Sequence, residues 1–414
     1  MKKTRKQEKI TKCQICSSPI IEVLDLGKYP PCDFLTKKQF SQEIKYPIVI
    51  HFCPVCSLLQ LGELVSQEAL FTPKGGYHHI AELSSSFKEH LRILARETVK
   101  RFKLKPDDLV VEIGSNDGAL LEAFRDEGVK VLGVDPTDVI DIAAKKNLTT
   151  ISEFFTEETG KRIVKEYGYA KVIAALNTFA HVSNLSSVVK GIRHLLSPDG
   201  VFISENHHSL DLINGLQYDF VYHEHLREYS LKSLIHLFKM HDMEVFDVEH
   251  LSTHSGSIRV FAGKKGAHPV SKHVSDLLKK EKEFGLWEKS VYENFAKKVR
   301  EHQKTFSKML NNLVADGKTI AGLTFPARAV TLLNSNNIGP ETLCYITELS
   351  KIKIGKFSPG THISVVDQSI LFGKDAPDYG LLLSWHIAKE IIPRFREKGF
   401  RGKIIVPLPT PRIA

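Results

Sequence analysis

Four cysteines in two Cys-x-x-Cys pairs, Cys13/Cys16 and Cys53/Cys56, constrain the start of this chain more than any other feature. A Cys-x-x-Cys turn presents two thiolates on one side of a tight loop, half of the tetrahedral shell that Zn²⁺ prefers. Two such turns complete the shell, so residues 17–52 must leave and return to bring the pairs together. Pro30-Pro31 and Tyr46-Pro47 suit those reversals. With all four positions filled by protein, the metal is expected to be structural rather than catalytic. The bland alternative is four reduced thiols in a core, and the paired spacing argues against it. Cys32 and Cys344 are unpaired and read as buried thiols.

The second constraint is an alternation of short apolar runs with amphipathic stretches. At 414 residues the chain exceeds one compact core, so two to four domains are expected. Apolar runs at Leu109–Ile113, 129–134, 171–176 and 201–203 alternate with helical patterns, which argues for a mostly parallel sheet covered on both faces. A second βαβ-like series begins at residue 319 and continues through 344–347, 363–366, 381–383 and 403–407. Between them, residues 271–315 read as two Lys/Glu-rich helices, and 84–102 as another. The expected class is α/β in three units: a small zinc-binding domain over 1–71, a Rossmann-like α/β domain over 72–265 and a second Rossmann-like α/β domain over 266–414.

Net charge is +9, with Lys2, Lys3, Arg5, Lys6, Lys9 and Lys12 crowded at the start. That run reads as a solvated terminus before a nucleic-acid arm, because no stripe of basic and aromatic residues accompanies it. No apolar stretch is long enough to span a bilayer. The first residues lack the apolar core of a signal peptide. A cytoplasmic location is expected, where thiols stay reduced.

The strand Leu109–Ile113 runs into a glycine loop ending at Gly118. Glu112-x-Gly114-x-x-x-Gly118 differs from the dinucleotide fingerprint, which would need glycines where Asn116 and Ala119 stand. No lysine is present for a phosphate loop. After the next strand, Asp135 places a carboxylate where both hydroxyls of a ribose can be bound. Loop, strand and acidic end at this interval point to S-adenosylmethionine. The candidate cofactor contacts are Glu112, Gly114, Asn116, Asp117, Gly118, Asp135, Phe154 and Asn177.

The densest polar cluster is Tyr222-His-Glu-His225. It follows the last strand expected in the first sheet. His181 follows the strand at 171–176. Ligands of open α/β sheets gather beyond the carboxyl ends of the strands, so both groups are expected beside the cofactor. Histidine can take a proton near neutral pH, and tyrosine or a second histidine can donate to an oxyanion. Two other readings stand: the cluster braces the following helix, or it holds a second metal, although it lacks zinc-protease spacing.

These stretches, with Cys53-Pro-Val-Cys-Ser-Leu-Leu-Gln-Leu61, Asn177-Thr-Phe-Ala-His-Val182, Asp219-Phe-Val-Tyr-His-Glu-His-Leu226, His254-Ser-Gly-Ser-Ile-Arg259 and Gly355-Lys-Phe-Ser-Pro-Gly-Thr-His362, make the chain resemble the nucleotide-sugar C-methyltransferases that build branched deoxysugars. The resemblance implies an N-terminal zinc domain, a central class I S-adenosylmethionine domain and a C-terminal domain without its own cofactor that contributes to the nucleotide-sugar site. It implies a 4-keto-deoxysugar on a nucleoside diphosphate, typically dTDP, methylated at C-3. His225 would remove the proton alpha to the ketone, Tyr222 and His181 would stabilise the enolate, and Glu224 would orient base or sugar. Tyr77 stands near the family's active-site tyrosine. The chain departs from the family at Tyr77-His78-His79-Ile80, at Asn206-His207-His208, at Glu348 and at Ser350-Lys351, while Lys353 and Gly355 match. An O- or N-methyltransferase on the same scaffold, and a zinc-ribbon nucleic-acid-binding protein, are the competing readings. A monomer acting without membrane or nucleic acid is expected.

Overall fold

A computed structural model describes residues 7–71 and 85–414. Tyr77, with the segment 77–80, lies outside the described residues.

Every position of Leu109–Ile113 is buried, as expected for a strand covered on both faces. It lies in a seven-stranded sheet whose spatial order is Met243–Leu251, Ser257–Lys264, Leu196–His207, Ala170–Leu176, Leu109–Ile113, Lys130–Val134 and Thr150–Ile151. The five strands from Leu196–His207 onward pair in parallel, while Ser257–Lys264 pairs antiparallel with both of its neighbours. One apolar face packs on the helices Ser85–Phe102 and Ala119–Asp126 through Leu91, Leu94, Leu120 and Phe124. The other packs on Leu185–Leu195 and Leu231–Lys239 through Val189, Ile192, Leu234 and Phe238.

Residues 7–71 supply three strands of a four-stranded antiparallel sheet. Tyr46–Phe52 alternates strictly, with Tyr46, Ile48, Ile50 and Phe52 buried. Its neighbours are Ile21–Tyr29 and Leu59–Leu61, and the sheet's far edge is Arg227–Glu228, which lies in the chain between the central strands Leu196–His207 and Met243–Leu251. Leu24, Ile48, Ile50 and Phe52 share one core with Tyr292 and Phe295 of the helix Lys289–Ala315 and with Ile320 and Leu323 of a third sheet. Phe52 and Tyr292 stack at 4.0 Å between ring centroids. The third sheet orders Val365–Asp367, Ile346–Glu348, Ile320–Leu323, Tyr379–Leu382, Lys403–Val406 and Arg412–Ile413, all parallel except the last. Among the described residues no helix is long and apolar enough to cross a membrane.

A buried charge knot ties the helix Lys272–Glu283 to the central sheet. His208 is wholly buried between two carboxylates, Asp211 at 3.0 Å and Glu281 at 2.9 Å. Glu281 also accepts the Leu231 and Lys232 N–H groups at the start of the helix Leu231–Lys239. Burial opposes charge on the His208 ring, but its bonds to Asp211 and Glu281 outweigh that and raise its pKa above the ordinary 6.5. Burial likewise pushes Asp211 up, yet His208 and His250 hold its carboxyl well below the usual range. The raised histidine contributes stability that is complete below about pH 6.5 and lost as pH rises through its folded value. The depressed aspartate contributes stability that is present above about pH 4 and lost as pH falls through its own folded value. The urea midpoint is therefore expected to fall over the interval that opens above about pH 6.5. Glu281→Gln should remove much of that slope at a cost of about 3 kcal/mol, the penalty for breaking a buried pair. A wild-type midpoint that stays flat over this interval would show that the ring carries no charge.

Candidate active site

The carboxyl ends of the central strands open onto a cavity of about 1460 Å³. Glu112, Gly114, Asn116, Asp117, Asp135, Phe154 and Asn177 line it, and so do His181, Tyr222, Glu224 and His225. Of the described candidates, only Gly118 stands back from the wall. It is the left-handed residue that opens the helix Ala119–Asp126.

The loop after Leu109–Ile113 is shaped for close approach. Gly114 has φ +76°, and a Cβ there would sit 2.5 Å from Thr178 Oγ1. Asp135 ends the next strand, and its carboxylate accepts the Asn116 N–H at 2.9 Å and the Thr137 N–H at 2.8 Å. Asp117 accepts the Ala119 N–H at 3.2 Å. Glu112 is buried with one carboxylate oxygen unpartnered. Burial pushes its pKa well up, and the nearby Asp135 and Asp117 add to the rise. A glycine cradle beside an orphaned carboxylate and a strand-end aspartate fits S-adenosylmethionine, whose amino and ribose groups are donors.

Tyr222, Glu224 and His225 sit on the turn leading into Arg227–Glu228. The His225 ring is 5.0 Å from that of His181 between centroids. Its Nδ1 faces the Phe220 carbonyl at 3.0 Å, and its Nε2 faces the Tyr222 hydroxyl at 2.8 Å. A carbonyl only accepts, so Nδ1 carries the proton and Nε2 presents its lone pair. His181 Nδ1 likewise donates to the Glu224 carbonyl at 2.7 Å.

All three sheets shape this turn. Leu61 N–H bonds to Leu226 O at 3.0 Å, and Leu226 N–H bonds to Ala180 O at 2.9 Å. His223 reaches the Tyr46 carbonyl at 3.2 Å. From the C-terminal side, Arg328 clamps Asp219 through two bonds of 2.8 Å, and Trp385 Nε1 donates to the same carboxylate at 2.8 Å. Behind the cavity, buried Glu205 pairs with Arg259 at 2.6 Å and His90 at 2.9 Å. Burial pushes Glu205 up, but the His90 bond and the Arg259 charge keep its pKa below the usual value. No local motif marks Glu205, His90 or Glu228, whereas Arg259 closes the His254–Arg259 stretch; the Glu205 pairings span 54 and 115 residues. Asn206 and His207, singled out as departures, do line the cavity. So do Glu348 and Lys353, which pair at 3.2 Å.

The four paired cysteines converge, their sulfurs all within 4.8 Å of one another. Cys13–Cys56 and Cys16–Cys53 each lie 3.5 Å apart, against about 3.8 Å for tetrahedral sulfurs around zinc. The two turns match. Ser17 and Ser57 N–H groups each bond back to the first cysteine's carbonyl at 2.9 Å, with φ of 59° and 61°. This donor set fits a structural Zn²⁺ ion and leaves no open position for chemistry.

Three family models match the chain. Residues 13–71 match a zinc binding domain, 87–248 a methyltransferase domain and 252–409 the C-methyltransferase C-terminal domain. The C-methyltransferase NovU of Streptomyces niveus is 34% identical over 412 residues, covering 98% of this chain and 97% of that protein. Among solved structures, magnesium protoporphyrin IX methyltransferase ChlM of Synechocystis PCC 6803 with bound SAH is 13% identical. It covers 46% of this chain and 90% of its own, with a TM-score of 0.34. The glycopeptide N-methyltransferase MtfA complexed with sinefungin is 13% identical, covering 42% and 87%, with a TM-score of 0.33.

Proposed function

Because the chain belongs to the S-adenosylmethionine-dependent C-methyltransferases that carry a zinc-binding domain, we propose that it methylates C-3 of a 4-keto-deoxysugar carried on a nucleoside diphosphate, dTDP being the nucleotide expected. The observation that carries this reading is the His225 ring, pinned at Nδ1 by a carbonyl so that the Nε2 lone pair faces the cavity that holds the cofactor loop. The cavity exceeds the roughly 300–1,000 Å³ of a site for one small ligand, so a second ligand has room beside the cofactor. Lys389 and Arg412 on its C-terminal wall supply positive charge suited to a diphosphate. Residues 1–71, 72–265 and 266–414 would serve as zinc, cofactor and nucleotide-sugar units.

In this mechanism the C–H bond alpha to the ketone breaks and its proton goes to His225 Nε2. The electron pair moves onto carbon and the ketone oxygen. Tyr222 turns its O–H from His225 to that oxygen, which frees Nε2 and stabilises the enolate at once. Such donors contribute about 3–4 kcal/mol each. His181 can add a second donor only with both nitrogens protonated, because its one neutral-ring proton is held by the Glu224 carbonyl. Glu224 lines the cavity beside these rings and orients base or sugar. Glu112, Asp135, Asn116, Asp117, Phe154 and Asn177 hold S-adenosylmethionine, which when bound supplies an electrophilic methyl group that needs alignment and dryness rather than activation. The enolate carbon would accept that methyl as the S–CH₃ bond breaks, with the neutral thioether S-adenosylhomocysteine as the leaving group.

The test is deuterium uptake from solvent at the carbon alpha to the ketone of a dTDP-4-keto sugar. Exchange that depends on the enzyme and a product bearing a new C–CH₃ group are expected. An O- or N-methyltransferase would give a methyl ether or methylamine without exchange, and that result would overturn the proposal.

A further inference from the structure

Behind His225 lies a carboxyl that no motif marks. Glu228 is buried in the two-residue strand Arg227–Glu228, its backbone paired to Leu59. One of its oxygens is 3.4 Å from His225 Nδ1 and the other 3.3 Å from His207 Nδ1. His207 is buried too, stacked on Phe220 at 3.8 Å, with Nε2 facing Gln217 Oε1 at 3.3 Å.

The Gln217 amide fixes the proton on His207 Nε2. Its NH₂ group donates to two carbonyls, Asp211 O at 3.1 Å and Ser255 O at 2.9 Å, so its oxygen is the atom facing His207. That oxygen accepts, so His207 Nε2 carries a proton. A neutral His207 then has a lone pair at Nδ1, and the Glu228 oxygen opposite must supply the proton between them. Burial agrees, since it pushes Glu228 well above the usual carboxyl range against the opposing charge of Arg328. A row therefore runs from Gln217 through His207 to Glu228, whose other oxygen lies 3.4 Å from His225 Nδ1, close enough for a charge on one to act on the other while the Phe220 carbonyl holds the Nδ1 proton. The titratable and charged groups facing it are Tyr222 and His181 at the cavity, His207 on the strand Leu196–His207, and Arg328, whose guanidinium is clamped by Asp219.

Resting on the reading of His225 as the base, we propose that Glu228 and His207 are its positioning pair and switchable counter-charge. As His225 Nε2 takes the carbon-bound proton, the proton shared at the back moves from the Glu228 oxygen to His207 Nδ1. One O–H bond breaks and one N–H bond forms, with no net gain or loss of protons in the pair. The carboxyl becomes an anion only when the imidazolium beside it needs one. In the resting site, with the His225 ring neutral, the carboxyl is neutral too.

Two variants test this. Glu228→Gln cannot ionise, and His207→Phe keeps the stack on Phe220 but cannot accept the proton. Each is expected to lower kcat roughly 10- to 100-fold and to move the acid limb of kcat/KM to lower pH by about one unit, because the charged base has lost its partner. KM and affinity for the nucleoside diphosphate should hold. The double variant should move the limb no further than either single one, since both break the same switch. Unmoved limbs, or two shifts that add, would overturn the proposal. If one variant fails to fold, the limb of the other decides alone. Alpha-deuterium exchange in His225→Asn separates the two readings. Exchange surviving there removes the base and this inference with it. Exchange lost there, with unmoved limbs in the other variants, removes only the inference.

Discussion

His225→Asn is expected to lower methyl transfer about 10³-fold, within the range for removal of a general base. Affinities for S-adenosylmethionine and for the nucleoside diphosphate should change less than about twofold, since uniform binding is untouched. Asparagine can still donate to the Phe220 carbonyl, so the turn keeps its shape. What it lacks is a basic lone pair at the place of Nε2. Tyr222→Phe should cost somewhat less, about 10²- to 10³-fold, because it removes one enolate donor while leaving the base in place. The pairing of the two residues at 2.8 Å also predicts coupling between them. Once the base is gone, removing the hydroxyl should add little, because no enolate forms for it to stabilise. Stopped-turnover product analysis with a dTDP-4-keto sugar reads all three variants. Near-wild-type turnover in His225→Asn would end the assignment of the base.

Local signals made much of this site legible, and the limits of the reading are equally physical. Leu109–Ile113 is apolar but for Glu112 because both of its faces are covered, and the structure returns the same five residues. The two helices of 271–315 appear as Lys272–Glu283 and Lys289–Ala315. The expected strand at 201–203 is part of a longer one, Leu196–His207. Pro198, Asp199 and Gly200 mask its start, and a register shift against the neighbouring strand falls there. The antiparallel strands Met243–Leu251 and Ser257–Lys264 were not anticipated. Exposed or half-exposed Glu244, Glu249 and His250 dilute the apolar pattern of the edge strand, and neither strand fits a parallel βαβ series. Tyr222, His225 and His181 could be read because they cluster or follow strand ends. Glu228 could not, since its value lies in His207, a partner 21 residues away, and in Arg328. The zinc cysteines were legible from spacing alone. That their module packs behind the turn carrying Tyr222 and His225 was not.

That last connection predicts the largest structural effect. Replacing Cys56 by serine, or stripping zinc with a chelator, should abolish activity while leaving the central sheet folded. The second cysteine turn runs directly into Leu59–Leu61, which pairs with Arg227–Glu228 and bonds to Leu226. Ser230 holds the same turn, its hydroxyl donating to Ser57 O at 3.2 Å. Gln60 links the two cysteine turns, accepting from Gln14 N–H at 2.9 Å and donating to Lys12 O at 3.2 Å. Without the ion, three buried thiols and a half-buried fourth lose the only partner that offsets crowding four sulfurs together. Binding free energy at structural zinc sites is folding free energy, about 10–16 kcal/mol in isolated fingers. Here the shared core with Tyr292 and Ile320 supplies part of the fold, so a loss of at least about 4 kcal/mol is expected for the zinc-binding region. Metal analysis should fall from one zinc per chain to none. Hydrogen exchange should rise first in Leu59–Leu61 and Arg227–Glu228, and only later in Leu109–Ile113. S-adenosylmethionine binding should survive, because Gly114 and Asp135 sit on the central sheet, whereas alpha-deuterium exchange should disappear with the geometry of His225. An apo-protein that still exchanges the alpha proton at the holo rate would show that the catalytic turn holds its shape without the metal.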